Sequence, residues 1–373
     1  MPDLTLVILA AGDSTRFSTD VKKQWLRIGS KPLWQFVADR LSLATKAKEV
    51  IITASKKELR YMQKHGNYTI IKGASSRQES LKNAIEHVKT TFVLVTDVAR
   101  ACIPHEMLNK ILESKGKADI IVPYLDIADT VVYQNETIDR EKTKLIQTPQ
   151  LSKCSVLKRA LNQNKLYTDD SSAIKAAGGT VFYVKGSIKA KKITTFDDLA
   201  MLTCLSKPDT GQFVGVGFDV HEFCNDKDMF LGGVKIESRF GFKAHSDGDV
   251  ALHALIDSLL GAIGCGDIGE LYPDTDDKYK GIDSKKMLKE VVSFIKAVGF
   301  EIQNVDITIM AQTPKLSPYK DSMREKISSI LRIAPIRVNI KATTTEKLGF
   351  VGRKEGVAAE AVTSLHYFNW KKI

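Results

Sequence analysis

The sequence has no apolar run near the ~18 residues that span a bilayer, no C-x-x-C pair and no G-x-x-x-x-G-K-[ST] phosphate loop. The first absence excludes a helical membrane protein. The early stretch LTLVILAAG is too short for a signal peptide and lacks a basic leader, so a cytoplasmic location is expected. The second absence concerns five scattered cysteines, Cys102, Cys154, Cys204, Cys224 and Cys265. Their odd number and spacing argue against a disulfide framework and against a thiolate zinc cage, and fit a reduced compartment. The third excludes a Walker-type nucleotide site. No repeat of 20–50 residues and no low-complexity segment is present either, which excludes a solenoid.

What is present is 373 residues, too many for one ordinary core, so two domains are expected. A hydrophobic share of 43% and a charged share of 27% are those of a globular protein. The formal charge of +11 is unevenly placed: residues 1–210 carry 33 Lys+Arg against 22 Asp+Glu, and residues 211–373 carry 22 of each. Such an excess suits a polyphosphate substrate, nucleic acid or solubility. The lysines stand singly and in pairs with few interleaved aromatics, which disfavours nucleic acid.

Up to about residue 205, short apolar strands (4–9, 50–54, 69–71, 92–96, 120–123 and 180–184) alternate with helical patterns such as 33–44 and 75–88. This alternation predicts an α/β fold with a largely parallel sheet and ligands at the carboxyl ends of its strands. A last helix is expected through Met201 and Leu202, ending near 206–211, where Lys-Pro-Asp and Thr-Gly are turn chemistry. The boundary is placed at 210/211, giving domains 1–210 and 211–373. The second half reads as two strands, a helix (247–263), a helix (283–298), a strand (304–311), a helix (323–333), a strand (337–342) and a final helix after Gly356. It is a smaller α/β domain.

The stretch LAAGDSTRFSTDVKKQW leaves a buried strand through Ala10, Ala11 and Gly12, then presents Arg16, Lys22 and Lys23. Small residues let backbone N–H groups approach an anion. The planar fork of Arg16 and the compact charge of Lys23 suit a pentavalent phosphorus transition state. An ordinary strand-to-helix loop is the alternative.

With GASSRQES (73–80), TDVAR (96–100), Asp129-Thr130, QTPQ (147–150), TDD (168–170) and KIT (192–194), this half resembles 2-C-methyl-D-erythritol 4-phosphate cytidylyltransferase. The resemblance implies a Rossmann-like, doubly wound nucleotidyltransferase domain that uses CTP with Mg2+ or Mn2+. By it, Arg16 and Lys23 stabilise the transition state, and Arg140 and Lys192 hold methylerythritol phosphate for in-line attack. Asp97, Arg100, Thr130, Thr148 and Thr168 surround that substrate, while Ala10, Ala11, Gly12 and Ser80 contact the nucleotide. Asp97 as a helix cap, and Arg140 or Lys192 as surface charges, are the structural alternatives. Ser14, Ala74 and Ala101 depart from the family pattern, at two loop glycines and a proline.

In the second half, FVGVGFDVHEF alternates. Val214, Val216, Phe218 and Val220 are expected to face a core, with Gly215, Gly217, Asp219 and His221 on the opposite face. Asp249, His253 and Asp257, four apart on an otherwise apolar helix, form a polar stripe, with Ser246 or Asp247 as the cap. Burying them unpartnered would cost on the order of 2–7 kcal/mol for neutral groups and more for charge. A metal at His253, with Asp257 orienting the ring from behind, removes that difficulty. Asp219, His221 and His253 leave one coordination position open, as at a catalytic zinc.

FDVH, AHSDGDVALHA, GDIGELYPDTD, AQTPKLSPY and KATTTEKLGFVGRKEG resemble 2-C-methyl-D-erythritol 2,4-cyclodiphosphate synthase over residues 211 to about 368. The resemblance implies cyclisation of CDP-methylerythritol 2-phosphate with release of CMP. By it, Zn2+ sits on Asp219, His221 and His253, His245 and Thr344 steady the transition state, and Glu346 binds a second cation, Mg2+ or Mn2+. Substrate contacts are implied for Asp219, His221, His245, Ser246, Asp267, Ile268, Gly269, Tyr272, Pro273, Asp274, Thr275, Asp276, Ala311 and Lys315. Thr343, Thr344, Thr345, Glu346, Phe350 and Arg353 complete that set. For His245 a helix cap is the alternative.

Together the two resemblances imply a bifunctional enzyme of non-mevalonate isoprenoid precursor synthesis. The implied partners are CTP, methylerythritol phosphate and CDP-methylerythritol 2-phosphate, with no nucleic acid and no membrane. The synthase half is expected to trimerise and the transferase half to dimerise, which combine into a hexameric homo-oligomer. Two readings compete: a nucleotide-sugar pyrophosphorylase joined to a zinc phosphohydrolase, which hexose phosphates as acceptors would reveal, and a basic nucleic-acid module with a structural metal, which salt-steep binding would reveal.

Overall fold

The computed structural model describes residues 3–163, 165–225, 227–273 and 275–372. They divide into two compact units, Met1–Pro208 and Asp209–Ile373. Each is described by itself.

In the first unit the strands that read as unbroken apolar runs lie in the middle of an eight-stranded sheet. Its order is Lys144–Ile146, Ile120–Asp126, Gln150–Lys153, Phe92–Asp97, Leu4–Leu9, Glu49–Ala54, Thr69–Lys72, with Val181–Lys185 also paired to Ile120–Asp126. Leu4–Leu9 is parallel to both neighbours, and Leu6, Val7 and Ile8 are buried, as a strand covered on both faces requires. Gln150–Lys153 runs antiparallel to both of its neighbours. The helix Leu33–Thr45 and the helix Arg77–Ile85 follow the expected spacing. Ser76 and Glu79 form a reciprocal capping box that fixes where the second helix begins. The carboxyl ends of Leu4–Leu9 and Phe92–Asp97 therefore open side by side.

Two expectations for this unit are corrected. The last helix is only a 3-10 segment, Asp197–Met201, because the Asp198 carboxylate binds the N–H groups of Thr194 and Thr195 and holds the chain in a tight turn. The cysteines are not all free: Cys102 and Cys204 form a disulfide, with Cα atoms 5.9 Å apart. Sequence spacing hid this contact. The segment before Cys204 returns along the loop after Phe92–Asp97, with the Ile193 N–H on the Ala99 carbonyl and Arg100 on the Ala190 carbonyl.

The second unit is a five-stranded sheet, in the order Gly241–Phe242, Gln212–Cys224, Gly356–Tyr367, Phe300–Met310, Val338–Thr343. The helices Val250–Ala262, Ser284–Ala297 and Lys320–Leu331 complete its α/β arrangement. The segment after Gly356 is a strand of 12 residues, not a helix. Its alanines favour a helix locally, but pairing to long strands on both sides overrides that preference.

The face assignment on Gln212–Cys224 is also reversed. Val214, Val216, Phe218 and Val220 are 61%, 60%, 58% and 45% exposed. The core side is the glycine side. A Cβ on Gly215 would stand 1.9 Å from the Ser258 carbonyl oxygen, and one on Gly217 2.0 Å from that of Ala254. The buried helix presses its backbone onto the strand, and only glycine leaves room. Asp219 and His221 share that helix-facing side, and this brings them to His253.

Candidate active sites

The first unit holds a cavity of about 290 Å3 where Leu4–Leu9 and Phe92–Asp97 end. Ala11, Gly12, Arg16, Lys23, Ser80, Asp97 and Lys192 line it. Ala10 is bound behind it, its N–H on the Thr53 hydroxyl at 3.1 Å. Among the described residues, no backbone N–H from Ala11 to Arg16 donates within the protein. A row of free donors beside a cavity can cradle an anion. Burial, Lys192 and Arg16 together push the Lys23 amine below its usual range. Clustered cations of this kind favour a polyanion.

An ion network at the cavity joins Asp97 and Lys192 to Arg77 and Asp170, two residues given no role from the sequence. Arg77 reaches Asp97 (Nε to Oδ1, 3.2 Å) and Asp170 (Nη1 to Oδ1, 2.6 Å), while Lys192 Nζ lies 2.7 Å from Asp97 Oδ2. Burial raises the Asp97 carboxyl, but the charges of Arg77 and Lys192 outweigh it and hold it at about 2. Asp170 goes the other way: burial dominates and raises it despite Arg77. Arg77 and Asp170 stood inside quoted motifs, GASSRQES and TDD. Only the fold brings them together.

In the second unit, Asp219, His221, His245, Ser246 and His253 line a second cavity of about 300 Å3, with Ile268, Gly269, Tyr272 and Asp276. One ligand atom each from Asp219, His221 and His253 lies within 4.8 Å of the others. Nδ1 of His221 and Nδ1 of His253 are both 3.1 Å from Asp219 Oδ2. The Nδ1 of His221 is buried and, apart from this close approach to Asp219, meets no hydrogen-bond partner among the described residues. Two imidazole nitrogens converging on one carboxylate oxygen, one of them buried with no other partner, fit a divalent cation. Burial raises the Asp219 carboxyl, but the two imidazoles outweigh it and hold it at about 2.

The His253 ring is oriented by Ser284, whose Oγ is 2.9 Å from Nε2 and which in turn donates to Asp247. This corrects the role given to Asp257. Its carboxylate accepts the Ile268 N–H at 2.7 Å and so fixes the loop that carries Ile268 and Gly269. Asp249, not Ser246 or Asp247, caps the helix by accepting the Leu252 N–H, and it also binds the N–H groups of Gly232 and Gly233.

Comparison with known proteins agrees with this geometry. Residues 4–205 match the 2-C-methyl-D-erythritol 4-phosphate cytidylyltransferase family, and residues 212–366 match the YgbB family. The bifunctional enzyme IspD/IspF of Aliarcobacter butzleri is 53% identical over the whole of both chains, and that of Nitratiruptor sp. 54%. The chain belongs to the bifunctional IspD/IspF family. The structure of the bifunctional IspDF from Campylobacter jejuni superposes with a TM-score of 0.90, at 48% identity, over 99% of this chain and 100% of that one. The first unit is thus an IspD cytidylyltransferase and the second an IspF cyclodiphosphate synthase, two activities of isoprenoid precursor synthesis. The IspD part transfers CMP from CTP to 2-C-methyl-D-erythritol 4-phosphate, and the IspF part cyclises CDP-methylerythritol 2-phosphate.

Several expected residues do not line these cavities. In the IspD part, Thr130, Arg140 and Thr168 are exposed, and Arg140 donates to the Ala128 carbonyl. Thr148 is buried, its hydroxyl 3.4 Å from that of Thr96, and Arg100 is turned to the Ala190 carbonyl. In the IspF part, Thr343 ends the strand Val338–Thr343, and Thr344 donates to Glu346 at 2.8 Å. Thr344, Thr345, Glu346, Phe350, Arg353, Ala311 and Lys315 all lie off the second cavity, as do Asp267, Pro273 and Thr275. Asp274 falls outside the described residues.

Proposed function

We propose that the two reactions run in the two cavities through the residues that converge there. In the IspD part, CTP lays its phosphates on the free N–H groups of Ala11 to Arg16. Lys23 and Arg16 neutralise the charge that builds as a methylerythritol phosphate oxygen attacks the α-phosphorus in line. The bond to pyrophosphate breaks. Asp97, held ionised, positions Lys192 against the incoming phosphate. Mg2+ or Mn2+ would accompany the CTP phosphates. The observation that carries this reading is the convergence of three cations on a row of unused N–H donors.

In the IspF part, Asp219, His221 and His253 would hold Zn2+, which supplies charge to polarise the β-phosphate. Ser284 and Asp247 keep the His253 ring turned toward the cluster. His245 lines the same cavity and steadies the transferring phosphoryl group as the 2-phosphate oxygen attacks and CMP departs.

Thr344 and Glu346, for the second cation, belong to a neighbouring copy in this reading. Along one row of the sheet, Asp219 pairs with Ala359, Ala359 with Ile309 and Ile309 with Ala342. Three strand spacings of ~4.8 Å put the Thr343 end roughly 14 Å from the triad. The exposed Val214, Val216, Phe218 and Val220 give a second copy a surface to cover. A trimer of this part and a dimer of the IspD part combine into a hexamer; a monomer by light scattering at working concentration would refute it. Among the described residues no helix is long and apolar enough to cross a membrane, and we place the enzyme in the cytoplasm.

Pyrophosphate release and cyclodiphosphate formation, measured on Lys23→Ala and His253→Ala, test the assignment. Lys23→Ala is expected to abolish only the first and His253→Ala only the second. Loss of both in either variant would sink it.

A further inference from the structure

Ser14 has φ of 57°, a left-handed backbone that glycine adopts more readily than serine. Its side chain is fully engaged. The hydroxyl accepts the Lys23 N–H at 3.1 Å and donates to Gln24 Oε1 at 3.2 Å. The Gln24 amide nitrogen then donates twice, to the Gly12 carbonyl and to Glu58 Oε2, both at 3.1 Å. Glu58 lies outside the loop, at the start of the helix Leu59–His65, and its side chain is 2% exposed. Its other oxygen is ion-paired with Lys22 Nζ at 2.9 Å, and Lys22 also holds Asp13 at 2.8 Å. Burial alone would lower the Lys22 amine, but Glu58 and Asp13 outweigh it and raise it.

We propose that Glu58 is a positioning residue for CTP: through Gln24, Ser14 and Lys22 it sets the shape of the phosphate loop and the placement of Lys23. The relay ties down the Gly12 carbonyl, a group that would repel an anion, while leaving the N–H groups of Ala11 to Arg16 free. It also fixes the backbone of Lys23, whose amine lines the cavity. A buried carboxylate with charged and amide partners is rigid in the low-dielectric interior, so the loop is formed before CTP arrives. Glu58 does not line the cavity itself. It therefore acts through the loop that holds CTP and Lys23, not through contacts to methylerythritol phosphate. This inference rests on the reading of the first cavity as the CTP site.

The test uses the full chain, with Glu58→Ala, Glu58→Gln, Ser14→Ala and the double variant Glu58→Ala/Ser14→Ala. Pyrophosphate release is measured while CTP and methylerythritol phosphate are varied separately, with cyclodiphosphate formation as internal control. Glu58→Ala is expected to raise the KM for CTP about tenfold while the KM for methylerythritol phosphate and the cyclisation rate stay within about twofold. Glu58→Gln keeps an acceptor for Gln24 and is expected to recover most of the loss. The double variant is expected to be no worse than the worse single one, because both act through Gln24.

An unchanged KM for CTP, or parallel changes for both substrates, would overturn the proposal. Should Glu58→Ala unfold the transferase unit, Ser14→Ala at the half-buried end of the relay must still show the CTP-specific change, or the proposal fails. Lys23→Ala separates the two levels. If it remains active, the reading of the cavity is wrong; if it is inactive while Glu58→Ala behaves as wild type, only the role of Glu58 is wrong.

Discussion

Replacing Arg77 by Met keeps the length of the side chain and removes its charge from between two buried carboxylates. The side chains of Asp97 and Asp170 are 12% and 2% exposed, so solvent screens them little. Asp97 is held at about 2 against an ordinary 3.8. At about 1.36 kcal/mol per unit, that shift contributes about 2 kcal/mol of folding stability. Because the folded value lies below the unfolded one, this stability is present above pH 3.8 and is lost as pH falls through 2. Asp170 has the opposite sign. Its raised carboxyl costs stability as pH rises through its folded value, and without Arg77 that cost grows.

Breaking a buried pair typically costs about 3–5 kcal/mol. Arg77→Met is therefore expected to destabilise the IspD transition by about 3 kcal/mol at pH 7, and by progressively less as falling pH protonates first Asp170 and then Asp97. Urea unfolding across pH 3–7, with the IspF transition as internal reference, measures this. A change under about 1 kcal/mol, or one that does not vary with pH, would show that Arg77 does not hold the two carboxylates.

Two further outcomes are expected. Gly217→Val forces a Cβ within 2.0 Å of the Ala254 carbonyl, so the IspF transition should lose at least ~1–3 kcal/mol by overpacking while pyrophosphate release persists; an unshifted transition would contradict the face assignment. Titration of native thiols should find Cys154, Cys224 and Cys265, with Cys102 and Cys204 reacting only after reduction; five reactive thiols at the outset would contradict the bridge.

Much of the fold was legible because hydrophobic periodicity is local. Six strands of the first unit, its helices near 33–44 and 75–88 and three helices of the second fall where the spacing of apolar residues puts them, while the short sheet strands Lys144–Ile146 and Gln150–Lys153 gave no such signal. The misreadings share one cause. Residues 356–367 look helical by composition and are a strand because two neighbours pair with them. Val214, Val216, Phe218 and Val220 look like a core face and are open because helix backbone sits on the glycine side instead. Cys102 and Cys204 look independent and are joined because a distant segment folds back.

The two sites divide along the same line. By itself the sequence singled out the side chains proposed to bring chemistry: a glycine-softened loop with Arg16 and Lys23, and an Asp-x-His strand answered by His253. These follow from residue type and a strand period of two, which need no partner. Only the tertiary structure decided what orients those groups. Arg77 clasps Asp97 to Asp170, Ser284 rather than Asp257 turns His253, and Glu58 reaches the loop through Gln24. Each of these contacts joins residues far apart in sequence, and such a distance closes only when the core packs.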